Sequence, residues 1–368
     1  GGRGVREDGM RVVDGTNMRS GLAGLTAAHL RLPPHLAPPL PETRRLDLPG
    51  GGWLRHARWH PEGAVRGTVV MLNGRSEFIE KYHPIARAWP GRGYEVLSME
   101  WRGQGLSSRS TGENAPSRQR GYIRDYRLLL EDLRHFLAAV VHPAVSARGR
   151  EHRVILFAHS MGGHVALRFL EERGSPDGPV PPFDAVVLSA PMMDIYNRPR
   201  WVSPRLARVA ARLVVLAGFG RAYVPGQHDY DPERESFLTN PLTTDPDRWA
   251  IHHQWFRWKP DLVVGGVTFG WLDATFRSID RLKRSRAGRH VTEPMLVLVP
   301  MLDHLVPSES QEALGDRYAR CRVSRFPDSR HEILMEREDI RGRAWAEIDA
   351  FLDEVLAERP AEPAKEQA

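Results

Sequence analysis

Short, mainly apolar runs recur along the chain, and between them hydrophobic positions switch to a helical period. Residues 67–72 (GTVVML) and 154–157 (VILF) read as buried strands of the kind covered on both faces, and 94–99 (YEVLSM), 185–188, 295–299 and 323–326 repeat the strand signal. Helical spacing follows them: through Tyr82, Ile85 and Trp89; over 122–141, with Leu128, Leu129, Leu133, Phe136 and Val140 on one stripe; through Val165, Ala166, Phe169 and Leu170; and over 333–356. An antiparallel pair, 46–48 and 53–59, joined by Gly50, Gly51 and Gly52, precedes the first alternation. Strands alternating with helices predict an α/β fold with a mostly parallel central sheet and helices on both faces.

From residue 194 to 289 the alternation fails. Trp201, Trp249, Trp255, Trp258 and Trp271 sit among Leu206, Val209, Leu213, Val214, Val215 and Leu216 in a mainly helical pattern. A long insertion opening at the carboxyl end of a strand is expected to lie over that edge as a cap. Any single tryptophan there reads first as core of the cap, but the set suggests an apolar substrate. The expected organisation is an N-terminal arm (1–45, rich in Gly, Arg and Pro), a core (46–193 and 290–357), a helical cap (194–289) and a flexible tail (358–368).

Composition narrows this without redirecting it. Of 368 residues 41% are hydrophobic and 27% charged, an ordinary globular balance. No apolar run nears the roughly 18 to 20 residues that span a bilayer, and no signal-peptide core is present, so a cytoplasmic location is expected. The net charge of +6 is compatible with peripheral contact with the anionic inner face of a membrane. The densest basic run, 281–289 (RLKRSRAGR), lacks interleaved aromatics and matches no nucleic-acid module; it reads as a solvated helix face, and no nucleic-acid partner is expected. The single cysteine, Cys321, falls in a strand and reads as a packing residue.

The chemistry centres on Ala158-His159-Ser160-Met161-Gly162, between the 154–157 strand and the helix after it. This is the nucleophile-elbow pattern GxSxG with Ala in the first position: a tight turn that pushes a serine out at a strand end leaves no room for bulk two residues either side. The plainer reading is a strand-turn-helix joint whose serine only caps the helix. A serine hydroxyl needs a base, and the base an acid to orient it, in the chain order serine, acid, histidine. Asp303 follows the strand 295–299 and His331 follows 323–326, so all three fall on one sheet edge. Asp303 is preferred to Asp194 as acid, and His331 to His304 as base, because His304 shares the acid's loop and would leave the last loop without a role. His159 and His164 read as packing or supporting residues. Oxyanion donors are expected from the Met161 amide and, after the turn at Gly74, the Arg75 amide. Glu77 and Arg102 are candidates for bracing that loop. Gly74, Glu77, His159 and Trp271 are expected to line or support the site. No clustered metal ligands, phosphate-binding loop or GxGxxG spacing appears, so neither metal nor cofactor is expected.

Several segments together resemble the serine α/β-hydrolases of the bacterial lysophospholipase and monoacylglycerol lipase type. They are Asn73-Gly74-Arg75-Ser76-Glu77 with Lys81-Tyr82, Trp101-Arg102-Gly103-Gln104-Gly105-Leu106-Ser107, the AHSMGG elbow, Asp303 with Val306, and His331-Glu332. Asn240-Pro241-Leu242-Thr243 and Gly265 to Trp271 (GGVTFGW) are similar to the lysophospholipase branch. The resemblance covers about residues 45–355; Ala158 for Gly, and Asn73 for the usual His or Pro, depart from it. It implies the α/β-hydrolase fold, Ser160, Asp303 and His331 as the triad, Arg75 and Met161 at the oxyanion hole, and hydrolysis of a single-chain lipid ester through an acyl-enzyme. The same scaffold serves proline-type aminopeptidases and acyltransferases, and a non-catalytic ligand-binding homologue is the alternative of another class. Epoxide and haloalkane hydrolases are disfavoured, since their elbow carries Asp where this chain has Ser160.

Overall fold

The apolar runs assemble into a single sheet. In the computed structural model, residues 26–27, 40–109, 117–149, 151–173, 183–196 and 202–357 are described. The strands are β1 (Glu42–Asp47), β2 (Trp53–Trp59), β3 (Gly67–Leu72), β4 (Tyr94–Met99), β5 (Arg153–His159), β6 (Ala185–Ser189), β7 (Met295–Pro300) and β8 (Cys321–Phe326). They lie in the order β1-β2-β4-β3-β5-β6-β7-β8. The β1–β2 and β2–β4 pairings are antiparallel and the rest parallel.

Alternate residues of each central strand feed opposite faces. Val70 and Leu72 join a core with α2 (Arg127–Phe136) and α3 (Met161–Glu172) through Leu129, Phe136 and Val165. Val69 and Met71 face α1 (Ile79–Ala86) and, near the chain end, Glu338–Ala357 through Ile79 and Ile348. Helices therefore cover both faces, as the double burial of β3, β4 and β5 requires. Cys321 lies partly buried against the first of these cores.

The stripe expected over 122–141 is helical only from Arg127, after which a π-helical turn, Leu137–Val141, and His142–Ser146 extend it. Asp125 accepts the Arg127 amide at 2.8 Å, and Gly121 forms a bridge with Val267, so the stretch before Arg127 pairs with the insertion instead. The core also begins earlier than expected, since β1 starts at Glu42. Within the arm, Thr26 bridges to Ser236 and Ala27 packs with Phe237 and Trp249. The rest of 1–39, and the tail 358–368, lie outside the described residues.

Between β6 and β7 the chain is helical: α4 (Pro204–Val214, prolonged by Val215–Phe219), α5 (Pro246–Trp258) and α6 (Phe269–Arg284). Ser203, Asp245 and Thr268 cap them by accepting the Leu206, Arg248 and Trp271 amides. The insertion is bonded to the core through α6, where Ser278 Oγ meets His164 Nε2 at 2.6 Å and accepts from Arg168 Nη1 at 3.0 Å. Arg208 and Arg212 tie α4 to Asp280 and Asp273 of α6. Trp249 and Trp271 are buried, whereas Trp258 is 50% exposed; Trp201 lies outside the described residues. The α4 apolar residues are not core: Leu206, Val209, Leu213, Leu216 and Phe219 are 55–65% exposed. The basic run ends α6 on the surface, with Arg281 paired to Glu172 and Lys283 to Asp194. No helix among the described residues is long and apolar enough to cross a membrane. The final helix, Glu338–Ala357, is α7.

Candidate active site

The chain order reverses around β3, which has β4 on one side and β5 on the other. In open α/β sheets a crevice forms at the carboxyl ends of strands flanking such a switch point. Ser160 leaves β5 there with φ 50° and ψ −118°, a conformation an L-residue adopts only under constraint. Its amide donates to the Ser189 carbonyl at 3.0 Å, and its carbonyl accepts from Met192 at 2.9 Å. A Cβ on Gly162 would come within 2.4 Å of the Asn73 carbonyl, and one on Gly163 within 2.9 Å of Pro191 Cβ. Gly162 lets α3 start hard against the end of β3 and Gly163 against the turn after β6, aiming its first amides at Ser160. Ala158 is fully buried beneath the turn, so a methyl fits where the pattern has Gly.

Ser160 Oγ lies 2.9 Å from His331 Nε2, and His331 Nδ1 lies 2.7 Å from Asp303 Oδ2. All three residues are buried. Asp303 Oδ1 accepts the Leu305 and Val306 amides at 2.8 and 3.0 Å, and Oδ2 accepts from Gln311 at 3.1 Å. Burial disfavours the Asp303 carboxylate, but the His331 charge and hydrogen bond, with those amides, hold its pKa below the usual value. Burial likewise opposes the His331 imidazolium; Asp303 overrides it and raises the pKa above 6.5. The alternatives fall elsewhere, since Asp194 pairs with Lys283 and His304 is exposed on the Asp303 loop.

The loop after β3 lies beside the serine, where a Cβ on Gly74 would come within 3.1 Å of Ser160 Cβ. Glu77 braces it, accepting the Gly74 amide at 2.5 Å. Arg102 does not; it forms a bidentate pair with Asp132 of α2. Gln104 does so instead, accepting the Ser76 amide at 3.0 Å and donating to the Gly74 carbonyl at 2.9 Å. Its only sequence signal was a polar side chain between two glycines of a strand-end loop. Gln311 carried no signal. Among the described residues no protein acceptor takes the Arg75 or Met161 amide. The Arg75 side chain turns toward the insertion: Nη2 donates to the Gly265 and Gly266 carbonyls at 2.8 Å and the guanidinium lies 5.1 Å from the Trp271 ring. Burial without a carboxylate partner lowers its pKa to about 10. The His159 ring lies tilted against that of His331, with centroids 4.9 Å apart, and burial pushes its pKa down to about 4. His164 faces Ser278 instead.

Glu77, His159 and Glu332 bring one ligand atom each within 4.8 Å of one another. The donor set suits a cation, and Lys81 supplies one: its Nζ donates to Glu77 Oε1 at 2.9 Å and Glu332 Oε1 at 2.5 Å.

The arrangement can activate a serine, stabilise a tetrahedral oxyanion on two amides and return a proton to a leaving group. The Hydrolase_4 family, described as serine aminopeptidase, S33, matches residues 63–338, a span holding Ser160, Asp303 and His331. The chain belongs to this family. A probable lysophospholipase L2 of Haemophilus influenzae is 26% identical over 293 residues, covering 80% of this chain and 86% of that relative. A monoacylglycerol lipase of Mycolicibacterium smegmatis is 28% identical, covering 78% of this chain and 89% of that relative. Among solved structures, a soluble variant of monoglyceride lipase from Saccharomyces cerevisiae shares the fold at a TM-score of 0.69 and 17% identity, over 89% of this chain and 99% of that chain. The fold is thus the α/β-hydrolase fold.

Proposed function

We propose that the chain is a serine hydrolase cleaving the carboxylic ester of single-acyl-chain lipids, lysophospholipid or monoacylglycerol, with Ser160, His331 and Asp303 as its triad. The observation that carries this is the hydrogen-bonded series Asp303, His331, Ser160 beside the Arg75 and Met161 amides, which no protein acceptor takes among the described residues. Ser160 Oγ attacks the ester carbonyl while His331 Nε2 takes its proton. Asp303 keeps the other imidazole proton on Nδ1. The Met161 and Arg75 amides hold the oxyanion. Collapse expels the glycerol-bearing alcohol, which receives the proton from His331 and leaves the acyl group on Ser160. A water then gives a proton to His331 and attacks the acyl carbonyl; collapse breaks the bond to Ser160 Oγ, which takes the proton back from His331 as the fatty acid leaves. The names of the lysophospholipase and lipase relatives support an ester substrate.

An aminopeptidase, the activity in the family's description, must hold a substrate ammonium on a free carboxylate. Glu77 and Glu332, the carboxylates beside His331, are both engaged by Lys81. An acyltransferase would share the acyl-enzyme and differ in its acceptor. A binding homologue has no use for the three aligned groups.

Peripheral contact with an anionic membrane is part of the same reading. The exposed α4 residues 206, 209, 213 and 216 recur at helical spacing, and the sequence from Pro204 to Arg221 holds four arginines and no acid. An apolar face flanked by arginine suits the headgroup region of an anionic leaflet.

Labelling with a fluorophosphonate followed by peptide mass spectrometry tests the nucleophile. An adduct on Ser160, slowed in His331→Ala, is expected; an adduct elsewhere, or equal labelling in His331→Ala, contradicts the assignment.

A further inference from the structure

Two pieces of the site come from distant strands and must meet to within a fraction of an ångström. The oxyanion loop follows β3, whereas His331 follows β8 at the edge of the sheet. A buried ionic chain joins them. Gly74 donates its amide to Glu77 Oε2, Glu77 Oε1 accepts from Lys81, and Lys81 donates its next proton to Glu332, the residue after His331. Glu77, Lys81 and Glu332 are 4–6% exposed. A small pocket lined by Glu77, Tyr82, His159 and Glu332 adjoins them.

Burying three charges is costly, and apolar side chains of similar volume are often as stabilising. A role in packing alone therefore does not explain why an ammonium sits between two carboxylates here. We propose that Lys81 is a positioning residue whose ammonium, clasped by Glu77 and Glu332, locks the Gly74–Arg75 oxyanion loop to the His331 loop. The inference rests on the hydrolase reading above. Neither carboxylate touches the reacting atoms; Lys81 acts through the backbone on one side and through His331 on the other. The charged and titratable groups facing His331 are Asp303 from the β7 loop, Glu77 and Lys81 from the α1 region, His159 from β5 and its neighbour Glu332. With Glu77 and Glu332 ionised and Lys81 protonated, the cluster carries one surplus negative charge, which favours protonation of His331.

The test is turnover of a p-nitrophenyl ester by the native chain, Lys81→Met, Lys81→Arg and Glu332→Gln, per active site titrated with a fluorophosphonate, and by Ser160→Ala per mole of folded protein. Folding is checked by circular dichroism and assays run below each variant's melting transition. Lys81→Met is expected to lose roughly 10- to 100-fold in kcat, with KM changed far less, and Lys81→Arg to recover part of the loss by keeping two carboxylate bonds. Glu332→Gln, which keeps volume and removes one charge, is expected to lower kcat and shift the acid limb of kcat/KM to lower pH. Lys81→Met folded with native kcat overturns the inference, as does a loss that Lys81→Arg does not relieve. If Lys81→Met does not fold, Glu332→Gln decides: native kcat with an unmoved acid limb overturns it. Ester cleavage surviving Ser160→Ala would instead sink the hydrolase reading beneath it.

Discussion

Gly162 lies so close to Asn73 that a side chain on it would come within 2.4 Å of the Asn73 carbonyl oxygen. The obstacle is backbone, so one of the elements forming the site must move. Gly162→Ala is expected to cost about 1–3 kcal/mol of stability and to lower kcat by displacing the Met161 amide from the oxyanion. Urea unfolding together with ester turnover checks this; a variant as stable and active as the native chain would show that α3 and β3 are not held in this contact.

Asp303 is expected to matter through the tautomer of His331. In Asp303→Asn the amide offers a donor where Nδ1 now donates, so the imidazole proton moves to Nε2 and the base faces Ser160 the wrong way round. A fall in kcat of roughly 10³ to 10⁴ is expected, with KM little changed. Steady-state kinetics on a soluble ester measures it.

On the proposed mechanism the pH dependence of activity follows from His331, which must be neutral to accept the Ser160 proton. Asp303 holds its pKa above 6.5 against burial, so kcat/KM should fall on the acid side, beginning above the pH at which an ordinary histidine protonates. A profile flat down to pH 5 would contradict a histidine base in this environment.

Stability should also fail with acid, from different groups. Burial pushes His159 to about 4 and His164 and His253 to about 3. The unfolded chain binds protons near 6.5 that these folded imidazoles refuse, so their stabilisation is complete above 6.5 and lost as pH falls toward 3–4. His331, with its raised pKa, contributes in the opposite sense. The urea midpoint is expected to drop steadily from pH 7 to 4.

Sequence pattern and structure agree where burial is complete. β3, β4 and β7 are buried at every residue and stand out as apolar runs. β1, ETRRLD, is almost wholly exposed at the sheet edge and carries no such signal. Ser160, Asp303 and His331 could be placed together from the sequence because each follows a parallel strand at the same edge of the sheet, although β8, before His331, is itself only partly buried. Gln104 and Arg102 were not distinguishable, since Arg102 is drawn away by Asp132, a partner 30 residues on. The helical pattern through Leu206, Val209, Leu213 and Leu216 did not tell whether its apolar face is covered, because such a face reads the same in sequence whether or not protein packs on it.

That exposed face gives a further prediction. Leu213→Asp with Leu216→Asp is expected to weaken sedimentation with phosphatidylglycerol vesicles and to lower hydrolysis of vesicle-borne monoacylglycerol more than that of a water-soluble ester. Equal loss on both substrates would place α4 in folding or turnover, not in surface contact.

The most direct test is hydrolysis of lysophosphatidylcholine, monoolein and a prolyl arylamide by the native chain and by Ser160→Ala. Cleavage of one or both lipid esters, with little on the arylamide and a loss of at least about a thousandfold in Ser160→Ala, is the expected result. Lipid cleavage at the native rate by Ser160→Ala, or an arylamide cleaved ahead of both esters, would contradict a Ser160 lipid esterase.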